Sequence, residues 1–197
     1  LLRWNFTVPS FLFISLNFLH FNYIHKKFNM LKSTLFYICL ILITSLSFGQ
    51  ARYSESLFDE ILMETYTYST KNGENLDLDI YLPQYDSELA RPTLIYVHGG
   101  GFSNGTRSHK GVPEFCNRLA GYGYVVVSMS YRLTRKGEAS GFGCDCPAND
   151  KLNTFYAAVE DIQDATFFLI ENREQFAIDP QKIILAGSSA GAEAILN

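Results

Sequence analysis

Two apolar rhythms run along this chain from residue 65 onwards. Thr65 to Thr70 (TYTYST) is β-branched and aromatic, Lys71-Asn72-Gly73 is a turn signal, and Leu76 to Leu82 (LDLDIYL) alternates apolar and polar until Pro83. Alternation with period two buries one face of a strand, so these segments predict an antiparallel hairpin. Thr93 to Val97, Tyr124 to Ser130 and Lys182 to Ala186 are instead nearly continuous apolar runs, as strands covered on both faces require. Between them the period lengthens. Val112 to Gly121 places Phe115, Leu119 and Ala120 on one helical face, and Leu152 to Phe176 does the same with Phe155, Val159, Ile162, Ala165, Phe168 and Leu169. Asp179-Pro180 is expected to break the second helix, and Gly187 to turn the chain into a last one. Apolar strands separated by helices predict an α/β fold: a mostly parallel sheet with an antiparallel hairpin at its start.

The first fifty residues follow neither rhythm. Met30-Leu-Lys-Ser-Thr carries one positive charge, Leu35 to Leu46 (LFYICLILITSL) is apolar, and Ser47-Phe48-Gly49 ends in small residues. A basic start, an apolar run and a small-x-small end form the export pattern, with cleavage expected near Gly49/Gln50. The competing reading is an uncleaved membrane anchor over residues 31–48, close to the ~18-residue minimum for a spanning helix. Residues 1–29, which open on Leu and lack periodicity, are expected to be an upstream segment without a structural role. The domain proper is residues 50–197.

Charge follows the same division. Residues 1–50 hold Arg3, Lys26, Lys27 and Lys32 and no acid, while the remainder carries 12 basic and 20 acidic groups. A body this acidic repels phosphate backbones, so nucleic acid is not an expected partner. A membrane is expected only through an uncleaved N-terminal segment. If the chain is exported, Cys39 leaves with the leader and Cys116, Cys144 and Cys146 remain, an odd number that leaves at least one thiol without an intrachain partner. A metal at Cys144-Asp145-Cys146 needs two more ligands, and the body's histidines, His98 and His109, lie far away in sequence. No metal or organic cofactor is expected.

Two motifs carry chemistry. Gly187-Ser188-Ser189-Ala190-Gly191 is G-x-S-x-G between a predicted strand and a predicted helix, the context in which a sharp bend lifts the central serine above a sheet. Alone it could be a glycine-rich turn without chemistry. His98-Gly99-Gly100-Gly101-Phe102 also follows a strand, where glycines can aim backbone N–H groups at a developing oxyanion. A phosphate cradle would need a following G-K-S/T, which is missing.

HGGGF, Ser130-Tyr131-Arg132-Leu133, Ala158-Val-Glu-Asp161, Ile178-Asp-Pro180 and GSSAG occur in the order found in α/β-hydrolases, and from about residue 65 to Asn197 the chain resembles the carboxylesterases related to hormone-sensitive lipase. The resemblance implies the N-terminal half of an α/β-hydrolase fold. It implies Ser189 as nucleophile and the N–H groups of Gly100, Gly101 and Ala190 as the oxyanion hole. His98 then shapes the loop and is not the general base, and Ser188 is a neighbour, not a second nucleophile.

The chain departs from that family in two places. Leu133 to Lys151 is a longer insertion than usual, and its Gly141, Gly143, Cys144, Cys146 and Pro147 suggest a pinned loop that either lines the acyl or alcohol pocket or decorates the surface. The triad order is Ser, then Asp or Glu, then His, yet Glu193 is the one acid after Ser189 and no histidine follows. His109 is a poor substitute. The chain is therefore expected to be an inactive fragment of a longer product, with the outer edge of Lys182–Ala186 unpaired.

The reading is an exported serine carboxylesterase acting on small-molecule or carbohydrate esters. Two alternatives stay open: a peptidase of the same fold, and a non-catalytic interaction protein on a hydrolase scaffold.

Overall fold

The computed structural model describes Lys32, residues 52–138 and residues 147–196. The leader or anchor at 30–49, the segment 1–29 and the insertion residues Gly141, Gly143, Cys144 and Cys146 lie outside the described residues. The chain divides into two units, Leu1–Gln50 and Ala51–Asn197, and all that follows concerns the second. No helix among the described residues is long and apolar enough to cross a membrane.

In the second unit, five strands and four helices are seen among the described residues, the strands forming one sheet. In chain order they are β1 (Ile61–Lys71), β2 (Glu74–Pro83), β3 (Arg91–Val97), α1 (Val112–Gly121), β4 (Val125–Met129), α2 (Ala148–Glu171), α3 (Arg173–Phe176), β5 (Ile178–Gly187) and α4 (Ala190–Ile195). The sheet order is β1-β2-β4-β3-β5. β1 pairs β2 and β2 pairs β4 antiparallel, whereas β3 pairs both β4 and β5 in parallel. This is the mixed α/β sheet the apolar rhythm predicts.

β4 shows why a continuous apolar run was needed. All five of its residues are buried. Val125, Val127 and Met129 join one core with Leu78, Ile80, Ile95, Val97 and the α2 residues Ala158, Ile162, Ala165 and Leu169. Val126 faces the other side, where Tyr81 and the α1 residues Val112, Cys116 and Ala120 form a second core. Side chains of successive strand residues point to opposite faces, so a strand with helices on both must be apolar throughout.

Three boundaries differ from the sequence expectation. β1 begins at Ile61, four residues earlier, because an edge strand paired on one side leaves Leu62, Met63 and Glu64 exposed without an alternating signal. The helix expected over 152–176 begins at Ala148 and ends at Glu171, where the Asn172 side-chain amide donates to Phe168 O at 2.7 Å. α3 and a left-handed Ala177 (φ 52°) then follow, so Phe176 reaches the core from a separate turn. Asp179-Pro180 lies inside β5 instead of breaking a helix. The register jumps there from Arg91↔Ile178 to Thr93↔Ile183, and this irregularity accommodates a proline, which cannot donate to the ladder.

β5 has one neighbour among the described residues, β3, and leaves Ile184 and Leu185 45% and 38% exposed. Cys116, in contrast, is fully buried and unpaired on the inner face of α1. Burial, and then the nearby Asp79 carboxylate, pushes its thiol up to about 12.

The end of β4 is tied to α2 by charge. Asp161, fully buried, accepts from the Arg132 backbone N–H at 2.8 Å and from its Nε at 2.9 Å, with the second guanidinium nitrogen at 2.7 Å. Arg132 also donates to Ala157 O at 3.1 Å and reaches Glu160. Removing one member of such a pair strands the other away from water, which costs about 3–5 kcal/mol. Asp161→Ala is expected to lose stability in that range, read as a lowered urea midpoint with an unchanged slope.

Candidate active site

β3 ends at Val97, and the next five residues, HGGGF, fold back on themselves. Gly100, Gly101 and Phe102 have φ of 132°, 60° and 61° in succession. A Cβ on Gly100 would stand 1.9 Å from Asn104 O, and one on Gly105 2.2 Å from Gly99 O. The Gly100 carbonyl accepts from the Ser103 and Asn104 amides, both at 3.1 Å. Phe102 has a side chain in a region glycine prefers, and burial secures it: its ring meets Tyr131 and Phe155 edge-on at 6.2 and 6.3 Å.

The loop is pinned to the sheet at Arg107. Its Nε donates to Asp79 at 2.9 Å, its guanidinium reaches Ser130 Oγ at 3.2 Å, and its carbonyl accepts from Ser128 Oγ at 2.8 Å. The insertion after β4 also starts against this loop, since the Arg135 N–H donates to Phe102 O at 3.2 Å. Residues 139–146, the middle of the insertion, lie outside the described residues.

The serine bend stands beside it. Ser189 has φ 49° and ψ −122° at the start of α4, a conformation costly for a residue with a side chain. Two glycines make the bend possible. A Cβ on Gly187 would lie 2.6 Å from the Gly191 carbonyl carbon, and one on Gly191 2.2 Å from Val97 O. The motif spacing therefore reflects a helix start pressed against its own strand and against the end of β3. Ser189 is exposed, and its Cβ is 3.1 Å from the place a Cβ on Gly99 would occupy. Among the described residues, the N–H groups of Gly100, Gly101 and Ala190 take no part in the loop and cap hydrogen bonds.

A cavity of about 220 Å³ opens between loop and bend, lined by Tyr96, His98, Gly99, Gly100, Asn104, Gly105, His109, Val112 and Ser188. Of the four residues expected from sequence, Gly100 lines it, while Ser189, Gly101 and Ala190 do not. Tyr96 belongs to no motif, and Ser188 is expected only as a neighbour of the nucleophile. Yet Ser188 Oγ accepts from the Tyr96 hydroxyl and from the Gly99 N–H, each at 3.0 Å. The available signal was the period of β3, in which Tyr96 must face opposite Ile95 and Val97. Among the described residues there is no group of three or more His, Cys, Asp or Glu placed to hold a metal.

His98 is buried, stacks on Tyr131 at 4.5 Å and places Nδ1 2.8 Å from Gly99 O. A carbonyl only accepts, so Nδ1 carries the proton. Burial lowers its pKa, and the Gly99 hydrogen bond opposes this more weakly. His109 is exposed, with Nδ1 3.2 Å from Lys110 O. A histidine whose folded pKa is depressed binds protons more readily when unfolded. Its contribution to stability is complete above the unfolded value of about 6.5 and is lost as pH falls through the folded one. Urea unfolding from pH 7 to pH 5 is expected to show falling stability, with a shallower fall in His98→Gln.

Comparison with known proteins bears on the fold and the family. Thermogutta terrifontis esterase 2 phosphorylated by paraoxon aligns with a TM-score of 0.53 at 23% identity, over 67% of this chain and 45% of that one, a likeness of fold. Gut esterase 1 of Caenorhabditis elegans is 35% identical over 129 residues, 65% of this chain and 21% of the relative. Human arylacetamide deacetylase-like 2 is 31% identical over 143 residues, 71% and 30%. The ethyl acetate hydrolase of Pseudomonas putida is 32% identical over 126 residues, 62% and 34%. The chain thus spans between about a fifth and a third of the length of these curated relatives. Residues 78–196, which run from β2 through the serine bend, match the family described as BD-FAE, and the chain belongs to that family, on an α/β-hydrolase fold.

Proposed function

We propose that the protein is a carboxylic ester hydrolase that works through an acyl-enzyme on Ser189. The observation that carries this reading is the forced bend at Ser189, held by Gly187 and Gly191 beside a glycine loop with uncommitted amides. Relatives bearing the names esterase, deacetylase and ethyl acetate hydrolase support the same reaction class.

In this reading Ser189 Oγ attacks the ester carbonyl carbon. The Gly100, Gly101 and Ala190 N–H groups receive the oxygen as it gains charge, which is worth about 2.7–4 kcal/mol per donor. A serine needs a base to be a good nucleophile, and buried, neutral His98 spends its Nδ1 proton on the loop. The reading calls for a base of the triad kind, a histidine oriented by a carboxylate, and assigns that role to neither His98 nor His109. That base takes the serine proton, delivers it to the leaving alcohol, and then activates the water that frees the acid. The substrate class in this reading, small-molecule or carbohydrate esters, rests on analogy with exported hydrolases of this fold.

An organophosphate such as paraoxon, the reagent named for the Thermogutta esterase, reports on Ser189 directly. The natural full-length protein is expected to gain the adduct on the peptide holding Ser189, and Ser189→Ala to lose labelling and at least about 10⁴-fold of p-nitrophenyl acetate turnover. An adduct elsewhere, or unchanged turnover, would sink the assignment.

In the same reading the protein is exported and residues 30–49 are removed. Mass spectrometry of the mature protein is expected to find Gln50 at its N-terminus. A mature chain that keeps residues 31–48 and sediments with membranes would favour the anchor.

A further inference from the structure

We propose that Ser188 is a positioning residue that locks the glycine loop to the serine bend, an inference that rests on the reading of Ser189 as nucleophile. Four hydrogen bonds converge on Ser188. Its N–H donates to Val97 O at 3.2 Å and its carbonyl accepts from the Gly191 N–H at 3.0 Å, which fixes the residue between the end of β3 and the start of α4. Its hydroxyl oxygen accepts from the Gly99 N–H and from the Tyr96 hydroxyl, both at 3.0 Å.

The Gly99 bond matters most. It ties the amide next to Gly100 and Gly101 to the residue next to Ser189, so it sets the offset between the oxyanion donors and the nucleophile. The fit is already tight, because a Cβ on Gly99 would stand 2.8 Å from Ser188 O. Without the hydrogen bond, van der Waals contact would hold the loop close but would not fix its offset. Tyr96 buttresses the arrangement from β3, and its ring packs on Phe115 with centroids 5.6 Å apart. Both lone pairs of the Ser188 hydroxyl are engaged, so its proton is left to face the cavity. A reaction that needs its donors placed to a fraction of an ångström should feel a loosened loop in the transition state more than in substrate binding.

The test uses the natural full-length protein, with p-nitrophenyl acetate as substrate and amide hydrogen exchange over residues 97–101 as a readout independent of turnover. Ser188→Ala is expected to lower kcat about 10- to 100-fold with KM within about twofold, and to speed exchange in the loop. Ser188→Thr is expected to restore most of both, and Tyr96→Phe to give the same pattern more weakly. Exchange and kcat both unchanged in Ser188→Ala would overturn the proposal. So would a raised KM at unchanged kcat, which would make Ser188 a substrate-binding group. If the wild-type protein turns over no ester, the reading of Ser189 fails instead, and the exchange in Ser188→Ala still decides the lock.

Discussion

The close passage of three backbone segments, the end of β3, the glycine loop and the bend before α4, depends on the absence of β-carbons. At Gly99, Gly187 and Gly191 an added Cβ would fall between 2.2 and 2.8 Å from backbone atoms of a neighbouring segment. Those neighbours are main chain and cannot rotate aside. Three properties of the candidate site follow from that proximity: the strained Ser189, its close approach to Gly99, and the hydrogen bond from Gly99 to Ser188. The rest of the fold supplies the stiffness to hold it, because strain at a bend persists only where the surroundings over-determine it.

That stiffness comes from both faces of the sheet. β4 is buried on each side, β3 is buried on one face and half-buried on the other, and α2 is fastened to the strand end by Asp161 and Arg132. The glycine loop has its own anchor in Arg107, which reaches back to Asp79 on β2 and Ser130 after β4. Loop and bend therefore hang from different strands of one rigid sheet, and a small set of polar contacts sets their relative placement.

The parts legible in the sequence were those with local signatures. The central strands showed as unbroken apolar runs because both faces are covered, and the bend showed as G-x-S-x-G because its sterics restrict residues two positions either side of Ser189. The start of β1 was hidden, since an exposed edge strand has no obligatory alternation. The end of α2 was hidden because Phe168 and Phe176 serve one core across a helix break, so the apolar period continues where the helix does not. The Tyr96–Ser188–Gly99 cluster was hidden for another reason. Its members are separated by 92 and 89 positions and meet only because β5 pairs in parallel with β3.

Cys116 has a chemical consequence. Thiols react with disulfides and oxidants as thiolates, and with its acidity pushed up to about 12 this group is ionised in only about one molecule in 10⁵ at neutral pH. Enclosed between α1 and the sheet, it can neither capture glutathione nor cross-link to a second copy while the sheet stays folded. The Cys116 sulfhydryl thus needs no partner to stay unreacted in the folded state, and alkylation of that atom would report unfolding.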